Sequence, residues 1–197
     1  YSMKTEPLLT IAIPTYNRSR TLQSILESLQ QEAEQNFLIL VADDHSSDDT
    51  EAVVTQAQKI MSNLRYHKNK KNLGYSGNVC SLYELATTEY IWFLCDDDTV
   101  IPGAVSAILR KLTKYQPTVA VFNCTWIDPY GRHITAGVTK DILYKDEREF
   151  IDYQPLMRMT YLSILVMKKI TSIETIKKTN IENTIFFQLT LGLFLLT

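Results

Sequence analysis

The chain has 197 residues, a formal net charge of −2 at pH 7 and a hydrophobic content of 45%. This length and composition predict one folded domain over residues 1–197, built around a substantial hydrophobic core. The near-neutral charge excludes the strongly basic surface by which proteins bind nucleic acid, so we expect no nucleic-acid partner.

The N-terminal half alternates apolar runs with amphipathic segments. Residues 8–13 and 37–42 are continuous apolar runs without polar alternation, which is typical of strands in a parallel sheet covered on both faces. Between them, apolar residues recur at the spacing of one helix face, and Ser19 is the expected N-cap. The alternation predicts an α/β protein with a mostly parallel central sheet flanked by helices.

The same alternation continues along the chain. Ser47 or Asp48 is expected to cap the second helix, Pro14 to end the first strand, and Pro102 to lie in the first turn of the fourth helix. Further strands are predicted at 64–67, 90–94, 118–124 and 162–167, a helix near 150–160, and a buried helix or strand at 185–196. Because the chain ends inside that last apolar run, we expect it to lack C-terminal residues.

The N-terminus and the cysteines indicate the compartment. The start of the sequence has no apolar segment followed by small residues, as a secretory signal would. Cys80, Cys95 and Cys124 are far apart and lack metal-site spacing, so we expect small buried apolar side chains in a reducing environment. The expected location is therefore cytoplasmic, with peripheral contact at the inner face of the membrane left open.

Two of the predicted strands end in carboxylates. Asp43 and Asp44 follow the second strand, and Asp96, Asp97 and Asp98 follow the strand at 90–94. The carboxyl ends of parallel strands lie at one edge of the sheet, where α/β proteins bind ligands. Adjacent carboxylates repel one another, and a divalent cation shared with substrate phosphates relieves that repulsion. A solvated loop is the alternative for any acidic triplet, but the second acidic pair favours a ligand site.

The same edge has the groups that a nucleoside diphosphate needs. Tyr16, after the first strand, offers a flat face for a base, and Asp43 or Asp44 offers acceptors for a base N–H or ribose hydroxyls. The sequence contains neither glycine-rich phosphate-binding motif. The phosphates must therefore be neutralised by a metal and by side chains, for which Arg18 is the candidate.

Four short motifs follow one another in this half of the chain. They are Ile-Pro-Thr-Tyr-Asn-Arg at 13–18, Asp-Asp-His-Ser-Ser-Asp at 43–48, Asn-Leu-Gly at 72–74, and Asp-Asp-Asp at 96–98 with Pro-Gly at 102–103. Together they resemble the family-2 glycosyltransferases of the GT-A fold. The resemblance implies an inverting, metal-dependent hexosyltransferase that uses Mn²⁺ or Mg²⁺. It also implies a nucleotide-sugar-binding half at about 8–115 and an acceptor half at about 116–197.

The resemblance assigns roles by position. Asp97 and Asp98 are the expected metal ligands, and Asp98 is also a catalytic candidate. Several residues at the sheet edge are expected to bind the donor, with the first three lining the base pocket: Pro14, Thr15, Tyr16, Arg18, Asp43, Asp44, Asn72, Gly74 and Asp96.

The sequence departs from the family pattern at two places. Cys95 replaces the first acid of the usual Asp-x-Asp-Asp metal motif, and Val79-Cys80 replaces an Arg-Asn pair. The run at 72–78, together with the acidic triplet, resembles the abequosyltransferase-like branch of bacterial surface-polysaccharide enzymes. That branch implies a glycan or a lipid-linked glycan as the acceptor.

The general base is expected in the acceptor half, because the acids above are committed to the donor. Glu182 is the first candidate, ahead of Asp152 and Asp128, although an acid at a helix start also suits the helix dipole.

Other classes of protein fit the sequence less well. A sugar-nucleotide pyrophosphorylase needs a glycine-rich loop after the first strand, and a receiver domain needs an aspartate on the third strand and a later lysine. The alternative that stays open is a degenerate domain that binds a nucleotide sugar without transferring it.

Overall fold

Apolar strands and amphipathic helices alternate along the chain as the sequence predicts. The computed structural model describes residues 6–127, 130–135, 142 and 162–169. The helices are α1 (Ser19–Gln30), α2 (Thr50–Gln58), α3 (Gly74–Leu85) and α4 (Ala104–Tyr115). The strands are β1 (Leu9–Thr15), β2 (Leu38–Asp43), β3 (Leu64–Lys68), β4 (Tyr90–Phe93), β5 (Val119–Val121), β6 (Thr125–Ile127), β7 (His133–Thr135) and β8 (Leu165–Lys168).

Six of these strands form one sheet, in the order β3-β2-β1-β4-β8-β5. Strands β1 to β4 are parallel to one another, whereas β8 runs antiparallel to both β4 and β5. The expected mostly parallel sheet is therefore confirmed. The chain adds β2 and β3 on one side of β1 and then crosses to place β4 on the other side. The crevice between the ends of β1 and β4 is thus the topological switch point, where open α/β sheets bind ligands.

Helices cover both faces of the sheet. Ile11 and Ile13 of β1 belong to a core cluster with Leu22 of α1 and Val105 of α4. Ala12, on the opposite face, belongs to a second cluster formed with α3. Strands β2 and β4 also divide their residues alternately between the two clusters. Because both faces are buried, these strands are apolar throughout, which explains why they lack polar alternation.

Strand β1 continues through Pro14, where the sequence predicted its end. Pairing between β1 and β4 stops at Ala12, whose carbonyl accepts a hydrogen bond from Leu94 N. The backbone of Thr15 bonds on the other side, where its carbonyl accepts from Asp44 N. Pro14 therefore faces the side on which the ladder has already ended, and its missing N–H costs no strand hydrogen bond.

Helix starts also differ from the prediction. Ser19 is the first residue of α1 rather than its N-cap, and α4 begins at Ala104 after Gly103 (φ 84°), beyond Pro102. The Asp48 carboxylate accepts from Ser19 N (2.9 Å) and from Thr50 N (3.1 Å), so it serves the starts of both α1 and α2. Burial raises the pKa of Asp48, but hydrogen bonds from Thr50 and Ser19 outweigh that effect and lower it to about 2.

The C-terminal predictions are tested only in part. The strand predicted at 162–167 appears as β8, preceded by a 3-10 turn at Leu162–Ile164, and the strand predicted at 118–124 is reduced to β5. The predicted helix near 150–160 and the apolar run at 185–196 lie outside the described residues. Within the described ranges, no helix has the length and apolar character that would let it cross a membrane.

The start of α4 is held by Glu32, a buried acid in the loop after α1. Its two carboxylate oxygens accept hydrogen bonds from Gly103 N (2.9 Å) and Val105 N (3.2 Å). A carboxylate at this position satisfies free N–H groups and interacts favourably with the helix dipole. No local pattern predicts the contact, because Gly103 lies 71 residues further along the chain.

Replacing Glu32 with Ala leaves those two N–H groups without their acceptor inside the protein. We expect the free energy of unfolding, measured by urea denaturation, to fall by about 1–3 kcal/mol. Glu27→Ala, an exposed change on α1, is the matched control and is expected to stay within about 0.5 kcal/mol of the wild type. Equal urea denaturation midpoints for Glu32→Ala and Glu27→Ala would contradict the role assigned to Glu32.

Candidate functional site

Four segments meet at the carboxyl edge of the sheet around the switch point. They are the loop after β1, the loop after β2, the start of α3 and the acidic loop after β4. Side-chain hydrogen bonds join these segments: Thr15 contacts Asp96, Asn17 contacts Ser47, and Asp44 contacts the backbone of Leu73. The predicted convergence of the strand-end residues on one edge is therefore seen in the described part of the chain.

Asp96 is the fixed point of the acidic loop. Thr15 Oγ1 donates to Asp96 Oδ2 (2.7 Å), and Arg18 Nη1 donates to Asp96 Oδ1 (3.1 Å). Burial raises the pKa of Asp96, while the hydrogen bonds from Thr15 and Arg18 act in the opposite direction. The hydrogen bond and charge of Asp96 in turn raise the pKa of Arg18. Asp96 thus anchors the end of β4 to the end of β1.

Asp97 and Asp98 lie further out, on the exposed side of the same loop. Asp97 Oδ2 accepts a second hydrogen bond from Arg18 Nη1 (2.8 Å), and Asp98 accepts one from the hydroxyl of Ser163. That hydroxyl also accepts from Cys95 N (2.8 Å), and the Ser163 carbonyl accepts from Trp92 Nε1 (2.8 Å). Ser163, in the short 3-10 turn before β8, thus holds the acidic loop from the other side.

The sequence analysis missed Ser163. Its hydroxyl contacts Asp98 across 65 residues of chain, and a serine in a short turn carries no periodic or motif signal. Only the insertion of β8 beside β4 reveals the contact.

Asp43, at the end of β2, lies inside the protein. Its carboxylate is fully buried and accepts hydrogen bonds from Ser46 N (2.8 Å) and from the Tyr66 hydroxyl (2.6 Å). Burial and the hydrogen bond to Asp43 raise the pKa of Tyr66, so this hydroxyl stays a donor at neutral pH. In this arrangement Asp43 fixes the loop after β2, and its expected contact with the nucleotide stays a prediction.

Asp44 connects β2 to the start of α3. Its Oδ1 accepts from Asn69 Nδ2 (2.9 Å) and from Leu73 N (2.8 Å). Asn69 Nδ2 also donates to Asn78 Oδ1 (2.9 Å), and Asn78 Nδ2 donates to the Ala42 carbonyl (2.9 Å). The sequence analysis missed Asn69 and Asn78 as structural residues, because only the fold shows that their amides are buried.

The turn at the start of α3 depends on two glycines. Asn72 Oδ1 accepts from Gly74 N (2.9 Å), and Gly74 has φ +73°, a conformation that glycine adopts without strain. A Cβ at Gly77 would lie 2.7 Å from the Leu73 Cβ. Gly77 therefore leaves the space in which Leu73 turns its N–H toward Asp44.

Tyr16 is presented to solvent at this edge. It is 49% exposed, while Pro14 before it is half-buried. Asn17, with φ 52°, turns the chain and is fixed by hydrogen bonds with Ser46 Oγ (2.8 Å) and Ser47 N (2.8 Å). The loops after β1 and β2 are therefore joined, and the Tyr16 ring is left accessible to a flat ligand.

The structure thus separates the predicted site residues into three groups. Thr15, Arg18, Asp96 and Asp97 form one continuous hydrogen-bonded chain, with Asp98 beside it. Asp44, Asn72 and Gly74 belong to the loops around the start of α3. The base candidates Glu182, Asp152 and Asp128 lie outside the described residues.

The carboxylates of the acidic loop fit a hard divalent cation. Single ligand atoms of Cys95, Asp97 and Asp98 lie within 4.8 Å of one another. Carboxylate oxygens suit Mg²⁺ and Mn²⁺, which complete their coordination with water and phosphate. Burial raises the pKa of Cys95 to about 11, and its soft sulfur suits these hard cations poorly. Asp97 and Asp98 are therefore the residues that would hold the cation.

Residues 10–171 match the family model described as "Glycosyl transferase family 2". This range covers most of the chain, and it contains the whole site described above. The chain therefore belongs to glycosyl transferase family 2, which confirms the family inferred from the four motifs.

Two curated relatives are bacterial glycosyltransferases. GalNAc(5)-diNAcBac-PP-undecaprenol beta-1,3-glucosyltransferase of Campylobacter jejuni is 36% identical over 106 residues, covering 53% of this chain and 34% of the relative. Abequosyltransferase RfbV of Salmonella typhimurium is 27% identical over 177 residues, covering 82% of this chain and 53% of the relative. The chain thus spans only about a third to a half of the length of these relatives.

Solved structures show the same fold. TarS 1–349 of S. aureus has a TM-score of 0.73 at 18% identity, covering 95% of this chain and 55% of that chain. Its complex with UDP-GlcNAc has a TM-score of 0.69 at 17% identity, with coverages of 95% and 52%. The mannosyltransferase PcManGT of Pyrobaculum calidifontis, in complex with GDP-Man and Mn²⁺, has a TM-score of 0.52 at 17% identity, with coverages of 58% and 35%. The predicted GT-A fold is confirmed.

Replacing Ser163 with Ala removes the hydroxyl that contacts both Asp98 and Cys95 N. Because residues that orient metal ligands affect metal affinity strongly, we expect the affinity for Mn²⁺ alone to fall about tenfold. The free Mn²⁺ signal in electron paramagnetic resonance measures this affinity. Ser163→Thr keeps a hydroxyl and is expected to retain most of it. An alanine variant with wild-type affinity would rule out the positioning role.

Proposed function

We propose that this chain carries the donor site of an inverting, metal-dependent glycosyltransferase. The enzyme transfers a hexose-type sugar from a nucleoside diphosphate to a glycan or lipid-linked glycan acceptor, in the synthesis of bacterial surface polysaccharide. The observation that carries the proposal is the hydrogen-bonded chain from Thr15 through Asp96 and Arg18 to Asp97, which lies at the switch point of the sheet. The undecaprenol-linked glycan in the name of the Campylobacter relative supports the choice of acceptor.

Each group at the edge has a role in holding the donor. The exposed ring of Tyr16 stacks on the base, Pro14 and Thr15 line the same pocket, and Asp44 accepts from the base or ribose. Arg18 neutralises the diphosphate, and Asp97 and Asp98 hold Mn²⁺ or Mg²⁺. The bound cation would stabilise negative charge on the departing diphosphate. The structures of UDP-GlcNAc bound to TarS and of GDP-Man with Mn²⁺ bound to PcManGT support this class of donor.

The proposed reaction is a single displacement. The acceptor hydroxyl oxygen forms a bond to the anomeric carbon while the bond from that carbon to the diphosphate oxygen breaks. The acceptor proton passes to a carboxylate base, for which Glu182 is our choice. One displacement inverts the configuration at the anomeric carbon. We assign residues at about 8–115 to the donor and about 116–197 to the acceptor, in a cytoplasmic enzyme with peripheral contact at the membrane.

A second candidate function is a degenerate domain that binds a nucleotide sugar without transferring it. Two observations favour it: Cys95, a poor ligand, stands in the metal motif, and Asp43 is fully buried with both oxygens in use. Catalytic turnover distinguishes this candidate from the first.

Calorimetric titration with UDP, dTDP, CDP and GDP, each with and without Mn²⁺, tests the donor site. We expect one nucleotide to bind in a metal-dependent way, and Asp97→Ala to weaken that binding by more than about tenfold. Asp49→Ala is the control, because Asp49 is exposed and makes no capping hydrogen bond. A folded chain that binds none of the four nucleotides would contradict the proposal.

Replacing Glu182 with Gln tests the base. We expect turnover to fall about 100-fold or more, with unchanged nucleotide affinity, because the proton acceptor is lost while the donor site is intact. The measurement is release of nucleoside diphosphate in the presence of lipid-linked glycans extracted from bacterial membranes. Asp152→Asn and Asp128→Asn are the comparisons. Wild-type turnover in Glu182→Gln would transfer the assignment to one of them, whereas a wild-type chain without any turnover would support the degenerate domain.

A further inference from the structure

One nitrogen of Arg18 bridges two carboxylates of the acidic loop. Arg18 Nη1 lies 3.1 Å from Asp96 Oδ1 and 2.8 Å from Asp97 Oδ2. The Arg18 side chain is 53% exposed, so it remains accessible to a ligand at the edge of the site.

The two contacts differ in how firmly they are held. The Asp96 side chain is 5% exposed and also accepts from Thr15, so this partner is buried and fixed. The Asp97 side chain is 52% exposed, and exposed ion pairs are weak because water and salt screen them. The contact with Asp96 is therefore the anchor, and the contact with Asp97 is the one that exchanges easily.

A divalent cation on Asp97 conflicts with the bond from Arg18. Two positive groups on one carboxylate repel each other strongly at such distances. Binding of a cation to Asp97 therefore weakens the hydrogen bond from Arg18 to Asp97 Oδ2 and favours its release, while Arg18 keeps its contact with Asp96. The released guanidinium group stays beside the cation, where the diphosphate of the donor binds, and its planar fork of N–H groups matches phosphate oxygens.

We infer that Arg18 couples cation binding to nucleotide binding. In the free chain it occupies Asp97, and when a divalent cation takes Asp97 it transfers that hydrogen bond to the diphosphate. This inference rests on the proposed function, because it assumes a donor diphosphate beside the cation.

The coupling predicts effects of opposite sign in one variant. Without nucleotide, Arg18 competes with the cation, so its removal strengthens cation binding. With the cation in place, Arg18 contributes to nucleotide binding, so its removal weakens that step. Coupling between two ligands is reciprocal. The nucleotide Kd measured without the cation, divided by the Kd measured with it, is therefore smaller in the variant than in the wild type. A residue with a purely structural role would weaken both steps.

The experiment compares Arg18→Gln with the wild type and with Arg20→Gln. Arg20, exposed on α1, is the matched control, because its replacement removes the same charge two residues away. Binding of Mn²⁺ alone is followed by electron paramagnetic resonance, and binding of UDP, dTDP, CDP and GDP, with and without Mn²⁺, by calorimetry. For Arg18→Gln we expect Mn²⁺ to bind about two to five times more tightly. The nucleotide should bind about ten times more weakly in its presence. Arg20→Gln should match the wild type in both.

Arg18→Lys serves as a second variant if Arg18→Gln does not fold. A single nitrogen makes both contacts, so lysine can preserve the bridge and keep Mn²⁺ binding close to the wild type. It lacks the planar fork, so we expect nucleotide binding with Mn²⁺ to weaken about threefold or more.

The outcomes separate this inference from the proposed function. If the wild type binds no nucleotide with Mn²⁺, the proposed function fails and the inference fails with it. If the wild type binds a nucleotide but Arg18→Gln has an unchanged ratio of Kd values, or weaker Mn²⁺ binding, only the inference is overturned. If Arg20→Gln changes both affinities as Arg18→Gln does, the loss of any positive charge in this region explains the changes. The specific role of the Arg18 bridge is then refuted.

Discussion

The hydrogen bond from Thr15 to Asp96 fixes the relative positions of two strand ends that are 81 residues apart in sequence. It lies at the point where the order of strands reverses, so it joins the two walls of the crevice in which this fold binds ligands. Strand β1 reaches Thr15 because Pro14 lies where the ladder with β4 has already ended. The acidic loop is then placed by Asp96, and the loops after β1 and β2 are joined through Asn17. The contact therefore holds the donor-binding candidates at the end of β1 beside those of the acidic loop.

The three neighbouring acids repel one another, and the different environment of each offsets part of that repulsion. Asp96 is buried between a hydroxyl and a guanidinium group, Asp97 is exposed beside the same guanidinium group, and Asp98 is oriented by Ser163. This division explains how a buried carboxylate and an exposed carboxylate that could hold a cation can be adjacent in sequence. It also explains why the cysteine at position 95 is tolerated: its backbone N–H, rather than its thiol, contributes to the loop through Ser163.

The sequence predicts strands β1 to β4, their alternation with helices and the edge of the sheet at which the carboxylates meet. It does so because continuous apolar runs and strand-end carboxylates are local patterns. It was insufficient for contacts made across the fold. Glu32 at the start of α4, Asp48 at the start of α1, and Ser163 beside Asp98 are polar residues whose partners lie 29 to 71 residues away in sequence. The predicted helix starts differ from the observed ones for the same reason. Ser19 and Pro102 fit the local rules for the start of a helix, but the backbone N–H groups at the starts of α1 and α4 donate to remote carboxylates. The burial of Asp43 was likewise invisible, since the same residue in a more open loop would face the ligand.

The position of β8 has a consequence for how the molecule is assembled. This strand comes late in the chain, yet it is inserted between β4 and β5, and the residue just before it holds the acidic loop. During synthesis, β1 to β4 emerge long before β8 and can form their parallel pairs first. The acidic loop acquires its final shape only when β8 joins the sheet. The loop at residues 96–98, at the end of the four parallel strands, is therefore completed by a segment that comes some 65 residues later in the chain, so its final geometry reports that this segment has joined the sheet.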